Sequence, residues 1–388
     1  MNLSDRKLIF SNRNAFLVLG MVEASWAPMI PYIKDRFNLN ESDLGLLLLC
    51  LGLGSFCALP LVGYLCAKIG CKKLVYISGI IMALSLCSVS ISFNLYLCAV
   101  MLFIFGMCTI GIDIGANVNG VMVETKLKRP LMSGFHGGYS LGTLVGAGFV
   151  SLLLSFGLGI FNSSLIILAF TIITIFLGCQ SLYSKVEDPD PNIDSNSRKK
   201  KKGFVPILVL VVGCLCFIMY STEGSVMSWS AVFVNQERGV NIEKAGFVYT
   251  SFACTMTIMR LLGNKIVVFF GRRRTVVLGA ILVSLGFVLT VVIPHVIGAI
   301  LGYALVGVGA ANIVPQLVSF TGSIKGIHVH TAISFINAFG YSGILLGPVI
   351  IGFVAQNFSI STAFLMISFF VLLVALTCLK IMSNQYSK

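Results

Sequence analysis

Four charged residues stand where an apolar chain should carry none. Glu23, Asp113, Glu223 and Arg260 each fall near the middle of a long apolar stretch. A charge at the centre of a bilayer costs about 2.5–3.5 kcal/mol on insertion scales, so each of the four needs a reason. One reason is purely structural: a buried ion pair that fixes helix packing. It cannot cover all four, because three acids face one base. At least one carboxyl is then expected to hold a proton part of the time, since burial and a neighbouring like charge both disfavour the ionised form. The chemistry implied is reversible protonation of Glu23, Asp113 and Glu223 inside an apolar medium. Arg260 needs a carboxylate partner, and Glu223 is the first choice.

Neutral polar and aromatic residues fall at similar depth. Asn117 is one helical turn from Asp113, and Gln316 is one turn beyond Asn312. Trp26 lies three residues after Glu23, and Tyr220 three before Glu223. Trp26, Asn117, Tyr220, Asn312 and Gln316 are the expected substrate-binding set. Aromatic faces beside amides and carboxylates suit a polyhydroxylated solute, whose C–H face stacks while its hydroxyls hydrogen-bond. Simple helix packing explains the aromatics about as well. His136 and Tyr139 share a face but read as close to one end of their span, with His136 a structural or gating partner of Glu124.

The elements that must position these groups follow from composition. Of 388 residues, 57% are hydrophobic and 11% charged, against about 25% charged in soluble domains. Apolar runs of roughly 20 residues, enough to cross a hydrocarbon core, recur from end to end. Twelve spans are expected, at 13–35, 43–67, 74–93, 95–123, 131–155, 161–183, 204–233, 244–269, 275–293, 296–322, 331–355 and 359–382. The first is read as a span rather than a cleaved signal, because no small-residue cleavage site follows it. The twelve Cys lie mostly within spans and lack metal-ligand spacing. They are expected to be reduced packing groups. No cofactor, metal or nucleotide motif is legible, and no nucleophile–base pair, so an enzyme is not expected. The net charge of +13 reads as basic loops on one side of a membrane and not as nucleic-acid binding.

Those basic residues sort cleanly. One side receives Arg6, Lys7, Arg13, Lys68, Lys72, Lys73, Lys126, Lys128, Arg129, Lys185, Arg198 through Lys202, Lys265, Arg272, Arg273, Arg274, Lys325, Lys380 and Lys388. The other receives only Lys34, Arg36, Arg238 and Lys244. The rich side is expected to be cytoplasmic, with both termini on it. The one sizeable polar break, 184–203, divides the chain into halves 1–183 and 204–388. The halves repeat: Glu23 and Glu223 are 200 residues apart, Gly70 and Gly271 are 201 apart, and Gly142 and Gly146 fall on Gly343 and Gly347. Gly138-Tyr-Ser recurs as Gly340-Tyr-Ser. Parallel repeats of this kind are a transporter plan, with the substrate site between the halves at mid-membrane.

These features resemble the major facilitator superfamily over essentially the whole chain. The family's loop signature, G-x-L-x-D-R-x-G-R-K, stands as Gly63-Tyr-Leu-Cys-Ala67-Lys68-Ile-Gly70-Cys71-Lys72-Lys73, with Ala67 in place of the aspartate. A second copy runs from Gly263 through Lys265 to Gly271, Arg272, Arg273 and Arg274. The resemblance implies that Gly63, Lys68, Gly70, Lys72, Gly263, Gly271, Arg272 and Arg273 help gate the cytoplasmic side. Glu124 with Arg129 through His136, Glu223 with Trp229, Asn312 with Pro315, and Gly340-Tyr-Ser with Gly347-Pro348 look like one bacterial subgroup of mostly unassigned substrate, which includes a rhizobial membrane protein associated with rhizopine.

The resulting expectation is an all-α membrane protein with twelve transmembrane helices in two pseudo-symmetric six-helix bundles. It would be a monomer in a bacterial cytoplasmic membrane, with lipid, protons and a small-molecule substrate as partners. Its function would be proton-coupled transport of a sugar- or polyol-like solute by alternating access; the sugar reading rests on family likeness to fucose–proton symporters. The alternative is a proton-coupled antiporter exporting a small or cationic compound, and a transporter-like receptor is a more distant one.

Overall fold

The computed structural model describes residues 3–128, 131–185, 206–321, 324 and 329–382. Its described regular structure is helical throughout. The first helix, α1, spans Leu3–Arg36 and tightens into a 3-10 turn at Ala27–Met29, where Pro28 removes a backbone donor. Residues 41–69 and 71–91 form α2 and α3, then come α4 (Leu95–Leu127) and α5 (Met132–Ser155). The sixth, α6, covers Ile160–Gly178 and α7 covers Ile207–Arg238. Next, α8 runs over 242–270 in three pieces, Ile242–Ala245, Phe247–Leu261 and Gly263–Phe270. The last four are α9 (Arg272–Val292), α10 (Val296–Thr321), α11 (Val329–Asn357) and α12 (Ile360–Ile381).

Among the described residues, ten helices are individually long and apolar enough to span a membrane. One of them, the 51-residue stretch Glu41–Ile91, crosses twice, because it breaks at Gly70. Gly70 takes φ 83°, ψ 160°, a conformation open to glycine and costly for other residues. The chain does turn back there: Arg36, just before α2, donates to the carbonyls of Val89 (3.4 Å) and Ser92 (3.1 Å) at the end of α3. The three pieces of α8 together make one more crossing, so the passes number twelve. The connector beyond Lys185, together with Arg129, Pro130 and Lys325, lies outside the described residues.

The first helix begins ten residues earlier than its apolar run. Its polar residues there are buried and used: Asn119 donates to the Asn12 side-chain oxygen (3.0 Å), and Ser11 accepts from the Ser181 amide (3.0 Å). Hydropathy cannot register a polar face that finds partners on α4 and after α6.

The repeat seen in the sequence is a repeat of contacts. Gly142 and Gly146 of α5 lie against the backbone of Leu17 and Met21 in α1, and Gly343 and Gly347 of α11 lie against Phe217 and Ser221 in α7. Small residues let two backbones close where lipid supplies no hydrophobic drive between helices. Likewise Arg36 binds the end of α3, and Arg238 binds the carbonyls of Thr290 (3.1 Å) and Val291 (2.8 Å) at the end of α9.

Two seams join the halves. Along one, Gly45 of α2 faces Val349 and Gly352 of α11, and the Glu41 amide donates to Gln356 (3.2 Å). Along the other, Gly148 of α5 faces Thr250 of α8, and Thr257 donates to the Ser140 carbonyl (2.9 Å). The first contacts of each seam lie at the end that carries few basic residues, called the sparse end below. The opposite end is the basic end.

Candidate functional site between the halves

The mid-span charges meet where the seams converge. Arg260 of α8 places Nη2 3.1 Å from Glu223 Oε2 of α7, the partner expected from the helix adjacent in sequence. Its other terminal nitrogen reaches 3.5 Å across the interface to the Ser140 hydroxyl of α5. Both partners keep some exposure, 27% for the arginine side chain and 19% for the glutamate. The pair therefore borders a space open to solvent.

The other two acids receive hydroxyls instead of a base. Tyr139 of α5 donates to Glu23 Oε2 of α1 at 3.1 Å, within the first half. Tyr341 of α11 donates to Asp113 Oδ2 of α4 at 3.4 Å, from the second half to the first. Asn117 donates to the second Asp113 oxygen at 2.9 Å and to the Asp113 backbone carbonyl at 2.9 Å. Glu23 and Asp113 are close enough to act on each other electrostatically. Tyr220 lies with its ring on Gly340, beside Tyr341. Tyr249 of α8 is buried within electrostatic reach of Glu23, Glu223 and Arg260. The result is one mid-membrane cluster of three carboxyls, one guanidinium, an amide and four phenols.

Three expected members are elsewhere. Trp26 is 1% exposed, enclosed in the core where α1 tightens. Asn312 sits at the break inside α10, between Val296–Ala310 and Ile313–Thr321, and its amide donates to the Met259 carbonyl at 3.0 Å. It pins α10 to α8 beside Gly263. Gln316 accepts from Arg272 Nε at 3.2 Å, and so belongs to the basic-end loop. A uniform helical period carried across the break cannot find either position.

The converse error concerns Tyr139. Its backbone packs against Gly20, about one turn to the basic side of Glu23, and the phenol carries its oxygen up to Glu23. Tyr341 was missed altogether, although the repeated Gly-Tyr-Ser was the signal that could have found it. Among the described residues His136 makes no bond to Glu124. Its ring tilts on Phe16, with centroids 4.8 Å apart. Glu124 caps α5, accepting the Leu131 and Met132 amides (2.8 Å for the latter).

The loops at the basic end are latched within each half. The Lys72 amide donates to the Tyr183 carbonyl (2.9 Å) and its Nζ to the Gln180 carbonyl (2.8 Å), at the end of α6. Arg273, 201 residues on, donates to the Leu379 carbonyl (2.9 Å) at the end of α12. Arg272 binds Gln316 and, at 2.8 Å, Ser319. Gly271 turns at φ 77°, as Gly70 does at 83°. Lys68 lies over the Tyr64 ring (5.6 Å), Gly263 abuts Asn312, and nothing lies within 4 Å of a Cβ built on Gly63.

Comparison with known proteins gives this architecture its place. The family description "Major Facilitator Superfamily" matches residues 15–268 and 212–385. The chain belongs to the major facilitator superfamily. It is a transporter, not an enzyme. An uncharacterized MFS-type transporter of Yersinia pestis is 38% identical over 365 residues, covering 94% of this chain and 93% of the relative. Membrane protein MosC of Rhizobium meliloti is 27% identical over 356 residues, covering 91% and 84%. Among solved structures, a mutant of the nucleoside transporter NupG superposes with TM-score 0.77 at 12% identity, covering 96% of this chain and 99% of that one. A D-xylose–proton symporter superposes with TM-score 0.73 at 15% identity, covering 97% of each. At such identities these structures speak to the fold alone.

Proposed function

We propose that this chain is a proton-coupled secondary transporter of a small polar solute, sugar- or polyol-like, working by alternating access. Residues 1–183 and 204–388 are its two rocking halves, and 184–203 connects them. The observation that carries the reading is the Tyr341–Asp113 hydrogen bond. It joins the halves through a carboxyl that has no basic partner among its described bonds. A carboxylate only accepts, whereas a protonated carboxyl also donates. Taking or losing a proton therefore changes what Asp113 offers to the other half and to a solute between them. Glu23, bonded by Tyr139, is the second carboxyl so placed. Glu223 is held as an ion by Arg260 and serves as a fixed charge. The tyrosine hydroxyls and Asn117 give a hydroxylated solute its partners. The fold likeness to a sugar–proton symporter supports this reading without deciding it.

The test begins with a thermal-shift screen of sugars, polyols, amino acids and organic cations on purified protein. With a binder in hand, Asp113→Asn and Glu23→Gln mimic the protonated acid. Both variants are expected to bind and to exchange solute across a vesicle membrane, yet fail to concentrate it under an imposed proton gradient. Undiminished accumulation by both, with the pH dependence of the wild type, would remove these acids from coupling. Acidification of the vesicle interior with uptake distinguishes symport from proton-coupled export.

The membrane is proposed to be a bacterial cytoplasmic membrane, with the basic end and both termini inside and the protein a monomer. Single cysteines replacing Asn38 and Asn241 at the sparse end, in a cysteine-free background, should label in intact cells with an impermeant thiol reagent. One replacing Lys73 should label only after the membrane is opened. Labelling of position 73 in intact cells reverses the orientation.

A further inference from the structure

The turn between α2 and α3 carries a feature that transport does not use. Cys66, in the last turn of α2, and Cys71, the first residue of α3, bring their sulfurs within 3.7 Å of each other across Gly70. They are 3% and 0% exposed. They share an apolar cluster with Ala58, Val62, Leu74 and Ile110, separate from the main core. The fold does not impose the pair. At the corresponding places in the second half, 201 residues on, stand Val267 and Arg272.

We propose that Cys66 and Cys71 form a dithiol modification site that a small peroxide converts to an intramolecular disulfide, fixing the Gly70 turn. A disulfide needs its sulfurs about 2.05 Å apart, and side-chain rotation closes the remaining gap. One thiol attacks a peroxide oxygen; the O–O bond breaks, leaving a sulfenic acid and water. The second thiol then displaces that oxygen as a second water while the S–S bond forms. Two thiols lose two protons and two electrons, and hydrogen peroxide is reduced to two waters. Hydrogen peroxide is small enough to reach sulfurs that larger reagents do not. The α3 side of the turn is already docked: Gly70 lies against the Ser184 carbonyl, and Lys72 holds Tyr183 and Gln180. The α2 side is therefore what the bond restrains. Since α2 also carries the seam with α11, its basic end is where restraint on the halves would act.

The sequence provides its own assay. Trypsin cuts after Lys68 and after Lys72, so the peptide ending at Lys68 and the peptide 69–72 stay together only through a disulfide. Full-length protein in lipid nanodiscs is treated with hydrogen peroxide, alkylated and digested without reductant. The expected product is the linked pair, lighter by two hydrogens than the sum of its parts, in most of the protein and split by dithiothreitol. Cys66→Ser should abolish it without lowering the melting temperature of the untreated protein. Hydrogen exchange over 59–72 should slow on oxidation of the wild type and not of the variant. Recovery of the two peptides apart, each alkylated, or of either cysteine joined to a different one, overturns the site. A linked pair with unchanged exchange overturns the restraint on the turn.

Discussion

Removing Glu223 should destabilise the protein more than removing Arg260, and removing both should cost less than the sum. The physical reason is that the two stranded partners are not equivalent. In Arg260→Ala the carboxyl left behind can become neutral by taking a proton. In Glu223→Ala the guanidinium cannot lose one at any ordinary pH and keeps only the 3.5 Å contact with Ser140. Breaking a buried pair costs about 3–5 kcal/mol and a surface pair about 0–1. With the side chains 27% and 19% exposed, about 2–3 kcal/mol is expected for Glu223→Ala and less for Arg260→Ala. The Arg260→Ala deficit should also shrink as pH falls, because the carboxyl it strands takes up a proton more readily than the paired one does. Thermal unfolding of the singles and the double, at two pH values, measures all of this. Strict additivity would show that the two groups do not stabilise each other.

Equally large effects are expected from a side chain added where helices touch backbone to backbone. A Cβ on Gly54 would overlap the Phe103 carbonyl oxygen, and one on Gly146 the Met21 carbonyl oxygen. These obstacles are backbone in the middle of helices and cannot rotate aside. Overpacking costs about 1–3 kcal/mol where neighbours can adjust, and more is expected where α2 must part from α4, or α5 from α1. Gly54→Val and Gly146→Val should lower the yield of folded, monodisperse protein severely. Gly63→Val is the matched control, because nothing lies within 4 Å of a Cβ built on Gly63; it should fold with a yield close to that of the wild type. Normal folding of Gly146→Val would mean that α1 and α5 are not in contact as described.

What was legible in the sequence was what depends on local composition and on repetition. Hydropathy marked the spans to within a few residues, except where Ser11 and Asn12 extend α1 through polar bonds to distant elements. Arg260 as the single base among three acids called for a carboxylate partner, and adjacency in sequence made Glu223 the first choice. The duplicated Gly-Tyr-Ser and the 201-residue offset exposed the repeat, but not what it does. Tyr139 serves Glu23 in its own half, whereas Tyr341 crosses to Asp113 in the other. That difference depends on how α11 lies against α4, which no local period encodes. The misplaced residues share a cause as well. Trp26 and Gln316 were assigned to the site by helical spacing and Asn312 by its depth in the helix that repeats the fourth, and each lies at or beyond a place where the helix ceases to be regular.

The cations at the sparse end have an electrical consequence. Lys34 is neutralised by Glu41 at 3.2 Å, and Arg36 and Arg238 are spent on the carbonyl ends of α3 and α9, where a helix presents partial negative charge. With Lys244 that end has four cations against five acids, Asp35, Glu41, Asp43, Glu237 and Glu243, while the opposite face bears the bulk of the net +13. The molecule is thus strongly polarised along the membrane normal. Carrying one charge across a potential of 100 mV takes about 2.3 kcal/mol of work. If the basic end lies inside, as proposed above, an interior-negative membrane acts as a ratchet: each basic loop there adds to the work of turning the finished protein over.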